Sequence, residues 1–155
     1  MTYRTTTLSF ACFALAFAGS LVAAPSDTCA LLTPAQVSAV LGGTVVGPER
    51  IGSKGCLWRQ EGKAGVALLQ LDITLLPPER FAHTKSVTIG TVDNVSGLGA
   101  DAFYNTLKTG HTTSTTLNVK KGDTFVVIRV SGDEKRAEQY QAKEKAVAQA
   151  IVPKL

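Results

Sequence analysis

Between Ala67 and Leu75 the chain alternates: Ala67, Leu69, Leu71, Ile73 and Leu75 are apolar, and Gln70, Asp72 and Thr74 among them are polar. A period of two sends the first set to one face of a strand and the second to the other. Such a strand belongs in a sheet with one face on a core and the other toward water. A later segment, Phe125-Val126-Val127-Ile128 with Val130, is apolar on both faces and reads as a central strand. Thr112–Lys120 and Asp123–Ser131 flank Lys121-Gly122, a hairpin whose glycine supplies the positive φ that a tight turn demands.

Around these strands the punctuation is regular. Thr33-Pro34-Ala35-Gln36 is a capping box with proline at the first helical position, and Leu32 and Val37 are spaced as a hydrophobic staple. Gly42-Gly43 closes that helix, which covers residues 34–41. Short strands are expected at 44–47 and 55–60 around a loop containing Gly and Pro, with a turn at Glu61-Gly62-Lys63. Pro77-Pro78 ends the strand from Ala67, residues 79–85 form one or two helical turns, and 86–92 form another strand. Val95-Ser96-Gly97-Leu98-Gly99-Ala100-Asp101 reads as a turn into a strand over 102–107. Ser131-Gly132-Asp133-Glu134 reads as a second capping box, and the final helix carries Ala137, Tyr140, Val147 and Ile151 on one stripe, with Lys143 and Lys145 late. No long β-α-β alternation is present. The expected class is α+β: a mostly antiparallel sheet of six or seven strands, with a short N-terminal and a long C-terminal helix packed against it.

The first two dozen residues have a different character. Met1 to Thr7 is polar with one cation, Arg4; Leu8 to Ala18 is apolar apart from Ser9; Gly19 to Ala24 is rich in small residues. That order predicts a secretory signal peptide over 1–24, followed by one domain over 25–155. The apolar run falls short of the roughly 20 residues that span a bilayer. Cys29 follows Ser26-Asp27-Thr28, the wrong chemistry for a lipid anchor, so neither an anchor nor a membrane span is expected and the destination is the periplasm or the medium. With Cys12 inside the leader, Cys29 and Cys56 are left as an even pair in an oxidising compartment, and a disulfide is expected between them.

The search for chemistry meets no established template. Ser96 lies among glycines at the wrong spacing for a nucleophile elbow, and Gly97-x-Gly99 lacks the third glycine and the lysine of a phosphate loop. His83 and His111 are isolated, so no metal and no cofactor are expected. No catalytic residue is assigned. His111 beside Thr112, Thr113 and Ser114 supports an alternative reading as a small hydrolase with a Ser or Thr nucleophile. Asp72, the one acid in mid-strand, could pair with Arg59 or Arg129, and the three would form a polar binding patch if they share a face. Trp58, beside Cys56, reads as core packing. The basic residues are scattered, with no stripe and no interleaved aromatics, which argues against nucleic acid as a partner.

Three segments carry a resemblance: Cys29-Ala-Leu-Leu-Thr-Pro-Ala-Gln-Val-Ser-Ala-Val-Leu-Gly42, Gly55-Cys56-Leu57-Trp58-Arg59, and Val95-Ser-Gly-Leu-Gly-Ala-Asp-Ala-Phe-Tyr104. Together with Leu117-Asn-Val-Lys-Lys-Gly122 and the Val-rich strand and Ala-rich helix after it, they resemble a broad group of small bacterial exported proteins and lipoproteins carrying a domain of unknown function. The resemblance implies a fold similar to the Mog1/PsbP group and supplies no catalytic residues. The lipoprotein cysteine of that group is missing here. The functional expectation is a non-catalytic module of the cell envelope that binds an envelope protein or a small ligand, with a structural assembly subunit as a further alternative.

Overall fold

The computed structural model describes residues 27–62, 67–98, 101–109, 112–133 and 137–155. The expected signal peptide, Glu134 and His111 lie outside the described residues.

A 3-10 turn over Thr28–Ala30 leads into α1, Pro34–Leu41. Three strands follow: β1 (Val45–Ile51), β2 (Gly55–Glu61) and β3 (Ala67–Leu76). Helix α2 (Arg80–Val87) separates them from β4 (Thr91–Val95), β5 (Asp101–Thr109), β6 (Thr112–Lys121) and β7 (Thr124–Asp133), and α3 (Ala137–Ile151) ends in a 3-10 turn at Val152–Lys154. The strands form one sheet in the order β1-β2-β3-β7-β6-β5-β4, each described pair antiparallel. Two meanders, β1-β2-β3 and β4-β5-β6-β7, are thus joined side by side through β3 and β7. The strand with apolar residues on both faces, β7, takes the central place.

The two faces differ chemically. Leu71 and Ile73 of β3, Cys56 and Trp58 of β2, Leu117 and Val119 of β6, and Val126, Ile128 and Val130 of β7 are buried on the face that α1 and α3 cover. Tyr140, Val147, Ala148 and Ile151 form the matching stripe of α3. The capping box forms as expected: the Thr33 N–H donates to Gln36 Oε1 at 2.9 Å and the Gln36 N–H to Thr33 Oγ1 at 3.2 Å. Gly42 ends α1 at φ 85°, and Lys143 Nζ donates to the carbonyls of Val40 and Leu41 at 2.7 and 3.0 Å, satisfying helix-end acceptors across the core. Lys121 and Lys154 do the same for Val152 O and Leu31 O. Three lysines thus cap helix ends.

Three local expectations are corrected. β1 runs past the expected 44–47 to Ile51, through a cis Gly47-Pro48 bond and an irregularity between Val46 and Glu49. An edge strand can carry a proline because its outer donors have no partner to lose. The expected strand at 86–92 is instead the last turn of α2 followed by β4; Ser86 Oγ and Thr88 Oγ1 donate to His83 O and Thr84 O and hold the helix end. Ser131 is paired within β7, with Gln70 on one side and Ser114 on the other, so it does not cap α3.

Candidate functional site

The second face of the sheet is built from the intervening positions. Across β3, β7, β6 and β5 the partners run Asp72–Arg129–Thr116–Asn105, and one pleat further Thr74–Val127–Asn118–Phe103. Directly opposed residues of antiparallel strands share a face, so this row is polar where its reverse is the core. At the end of the face, α2 crosses from β3 toward β4. Phe81 meets the rings of Phe103 and Phe125 edge-on, with centroids 5.3 and 5.4 Å apart. Lys85 lies over Phe103 at 5.5 Å and donates to Asn94 Oδ1 at 2.6 Å. Phe103 and Phe125 are fully buried there, outside the main core.

Between α2 and the polar row a cleft of about 320 Å³ opens. Thr84 and Thr88 line its helical side; Thr74, Asn105, Thr116, Asn118 and Arg129 line the sheet, with Leu76 and Val127 at its apolar end. Among the described residues Asn105 Oδ1 is buried without a hydrogen-bond partner. Gly90, at φ 105°, passes so close to the β5 backbone that a Cβ would collide with the Thr106 carbonyl and stand 3.2 Å from Asn105 Oδ1. Only glycine fits this entry to β4.

Arg59, Asp72 and Arg129 lie on this same face, as the strand pattern allowed. They do not form the expected ion pairs. Arg59 pairs with Glu49 of β1, and among the described residues neither Asp72 nor Arg129 enters an ion pair. Burial pushes the Asp72 carboxyl above its usual range, and the charges of Arg129 and Arg59 draw it back. The Arg129 Nε donates to Thr116 Oγ1 at 3.4 Å.

Cys29 and Cys56 are joined, their Cα atoms 5.2 Å apart, tying the chain just before α1 to β2. Asp27 supports this end: its carboxylate accepts from the Cys29 N–H and pairs with Arg50 at 2.6 Å, and the Arg50 hydrogen bond holds its pKa below the usual value. Trp58 is fully buried on the core face. His83 sits exposed on α2. Among the described residues no cluster of His, Cys, Asp or Glu could hold a metal ion, and no helix is long and apolar enough to cross a membrane.

One residue was missed. Glu144 of α3 is fully buried against the core face. Its Oε1 accepts from Thr115 Oγ1 at 2.9 Å and from the Val130 N–H at 2.8 Å, while Oε2 is buried without a partner among the described residues. Burial pushes the carboxyl up to about 8, against the pull of those two donors and of the Arg129 charge. The signal was present in its position: four residues after Tyr140 and three before Val147, on the apolar stripe itself.

No family model matches the chain, and no curated protein matches it. Among solved structures the chain is similar to the extracellular domain of PknH from Mycobacterium tuberculosis, at 10% sequence identity and a TM-score of 0.36, over 79% of this chain and 93% of that one.

Proposed function

We propose that the protein is an exported, non-catalytic binding module of the cell envelope that takes a small polar ligand in the cleft between α2 and the open sheet face. The observation that carries this reading is the cleft itself. A polar sheet face is ordinary where it meets water, but here a helix is held above it by Phe81 and leaves a concave space lined by converging hydroxyl, amide and guanidinium groups. Its volume lies at the small end of ligand sites. Export is supported by the leader-like residues 1–24 and by the Cys29–Cys56 bond, which persists in oxidising compartments. The arrangement of helices on one antiparallel sheet also supports a relation to the Mog1/PsbP group. Thermal-shift screening of polar small molecules against the mature chain and a cleft-filling Thr116→Trp variant tests the reading. Ligands that stabilise the wild type should not stabilise the variant, and equal stabilisation of both would refute the cleft.

A second reading, an assembly subunit, draws on Val87, Ile89, Val92 and Leu107, four exposed apolar side chains on the segments around the β4 edge. Sedimentation velocity separates the two: a monomer at high concentration rejects assembly through that edge.

A further inference from the structure

We infer that Glu144 is a proton-operated latch between α3 and strands β6 and β7: protonated, it lets the helix lie closed on the sheet, and ionised, it loosens the helix while the sheet beneath stays paired. The inference does not depend on the cleft, which lies on the other face.

The geometry of the carboxyl is lopsided. Oε1 takes both donors, Thr115 Oγ1 of β6 and the Val130 N–H of β7. Oε2 is closed off from solvent and has no partner among the described residues. A carboxylate spreads its charge over both oxygens, so ionisation puts charge on an atom that nothing stabilises. Burying an unpaired carboxylate costs far more than burying the neutral acid.

The charged groups around it do not offset this. Helix α1 carries no ionisable side chain. The cation that draws on the carboxyl, Arg129, alternates with Val130 along β7 and so stands on the opposite face, as does Asp72 of β3. Lys121 of β6 and Lys154 of the final turn donate to Val152 O and Leu31 O. On β5, Lys108 is exposed, and Tyr104 donates to the Gln141 carbonyl at 2.8 Å. Burial, with the Glu144 charge, pushes Tyr104 up to about 12, so it keeps its proton. On α3 itself Glu138 is exposed, Lys143 donates to the carbonyls of Val40 and Leu41, and Lys145, the next residue in sequence, points away from the stripe.

The helix is the part that can yield. The strands are joined in one ladder and α1 is tied to β2 by the disulfide, whereas α3 is attached to the sheet through side chains. Lifting it brings water to Oε2 without breaking strand pairing. The carboxyl titrates at about 8 when buried, against 4.5 in water, so the closed state holds one extra proton between those values. The latch is firm in acid; opening becomes about tenfold easier per pH unit through this window and levels off above it.

The test follows amide hydrogen exchange of the mature protein between about pH 5 and pH 8, with each rate corrected for the intrinsic rate of an open amide. Protection of α3 should fall about tenfold per pH unit. At every pH it should lie at least about tenfold below that of the β3–β7 ladder. In Glu144→Gln the pH slope of α3 should vanish. Three results overturn the inference: α3 protection that is flat with pH, α3 and the ladder opening with one constant throughout, or a variant that keeps the wild-type slope. The first two are read on the wild type alone and decide the matter even if the variant does not fold. The second would leave the buried carboxyl standing and reject the independent movement of the helix.

Discussion

Replacing Glu144 by Gln removes a titrating proton from the core while keeping the shape of the side chain. In the unfolded chain this carboxyl titrates near its ordinary 4.5; in the folded protein burial raises it to about 8. The folded state therefore binds the proton more tightly. Its contribution to stability is complete below pH 4.5, falls as pH rises between the two values, and is gone once pH passes about 8. At about 1.4 kcal/mol per unit, the separation amounts to roughly 5 kcal/mol. That is a large share of the 5–15 kcal/mol typical of a domain.

The glutamine side chain of E144Q would keep the acceptor for Thr115 Oγ1 and the Val130 N–H, but would place an amide where Oε2 has no partner. Unsatisfied buried donors cost about 1–3 kcal/mol. E144Q should thus be less stable than the wild type near pH 4.5 and more stable at pH 9, by about 2–4 kcal/mol, with the curves crossing in between. Asp72, also raised by burial, adds a slope of the same sign to both proteins, so the difference between them isolates Glu144. Urea unfolding followed by fluorescence of Trp58, the single tryptophan and fully buried, reads both curves. Parallel curves for the two proteins across this range would refute the buried, protonated carboxyl.

The remaining expectations are quicker to check. Air-purified mature protein should show no titratable thiol; the C29S/C56S variant should melt about 10 °C lower, from the roughly 3–4 kcal/mol that closing this loop contributes in the chain-entropy model. Two reactive thiols in the native protein would reject the bond. Phe81→Ala should cost about 2 kcal/mol, less than the 3–5 kcal/mol of a fully buried Phe, and should speed hydrogen exchange in α2 while sparing α3. Exchange that rises equally in both helices would show that α2 is not an independent unit. N-terminal sequencing of exported protein should give a start between Ala23 and Asp27; a start at Met1 would sink the export reading.

Much of the fold was legible because it is written in local terms. The capping box at Thr33, the alternation through β3, the hairpin at Gly122 and the two-faced apolar run of β7 each act over a few residues, and each took its expected form. What stayed hidden depends on distant partners. The pairing of Leu69–Leu76 with Phe125–Gly132 decides which residues oppose which. Without that register, Arg59, Asp72 and Arg129 could be assigned to one face only conditionally, and the capture of Arg59 by Glu49 could not be foreseen. Glu144 is the sharper case. An acid in an Ala- and Lys-containing helix is ordinary surface composition, and the two donors of Glu144 lie 29 and 14 residues away. Its place on the stripe of Tyr140 and Val147 contradicted that reading, but helical period alone does not say whether a buried acid will find donors.

The position of the cleft follows from the uneven chemistry of the open face. That face is aromatic at one end, through Phe103 and Phe125, and polar beyond, through Asn105, Thr116, Asp72 and Arg129. The connection from β3 to β4 must cross from the centre of the sheet to its far edge, and the helix it forms gains apolar contact only over the aromatic end. Phe81 anchors it there, while no residue of α2 is fully buried. Past that anchor Thr84 and Thr88 face a polar sheet with which they cannot close-pack, so the boundary between the dry and wet parts of the face becomes a gap. A helix held mainly through one aromatic side chain is weakly secured, and ligand groups bridging Thr84 or Thr88 to Arg129 would add the contacts that the fold omits. On the proposed reading, a ligand filling the cleft would therefore also hold α2 in place, coupling its binding to the local order of that helix.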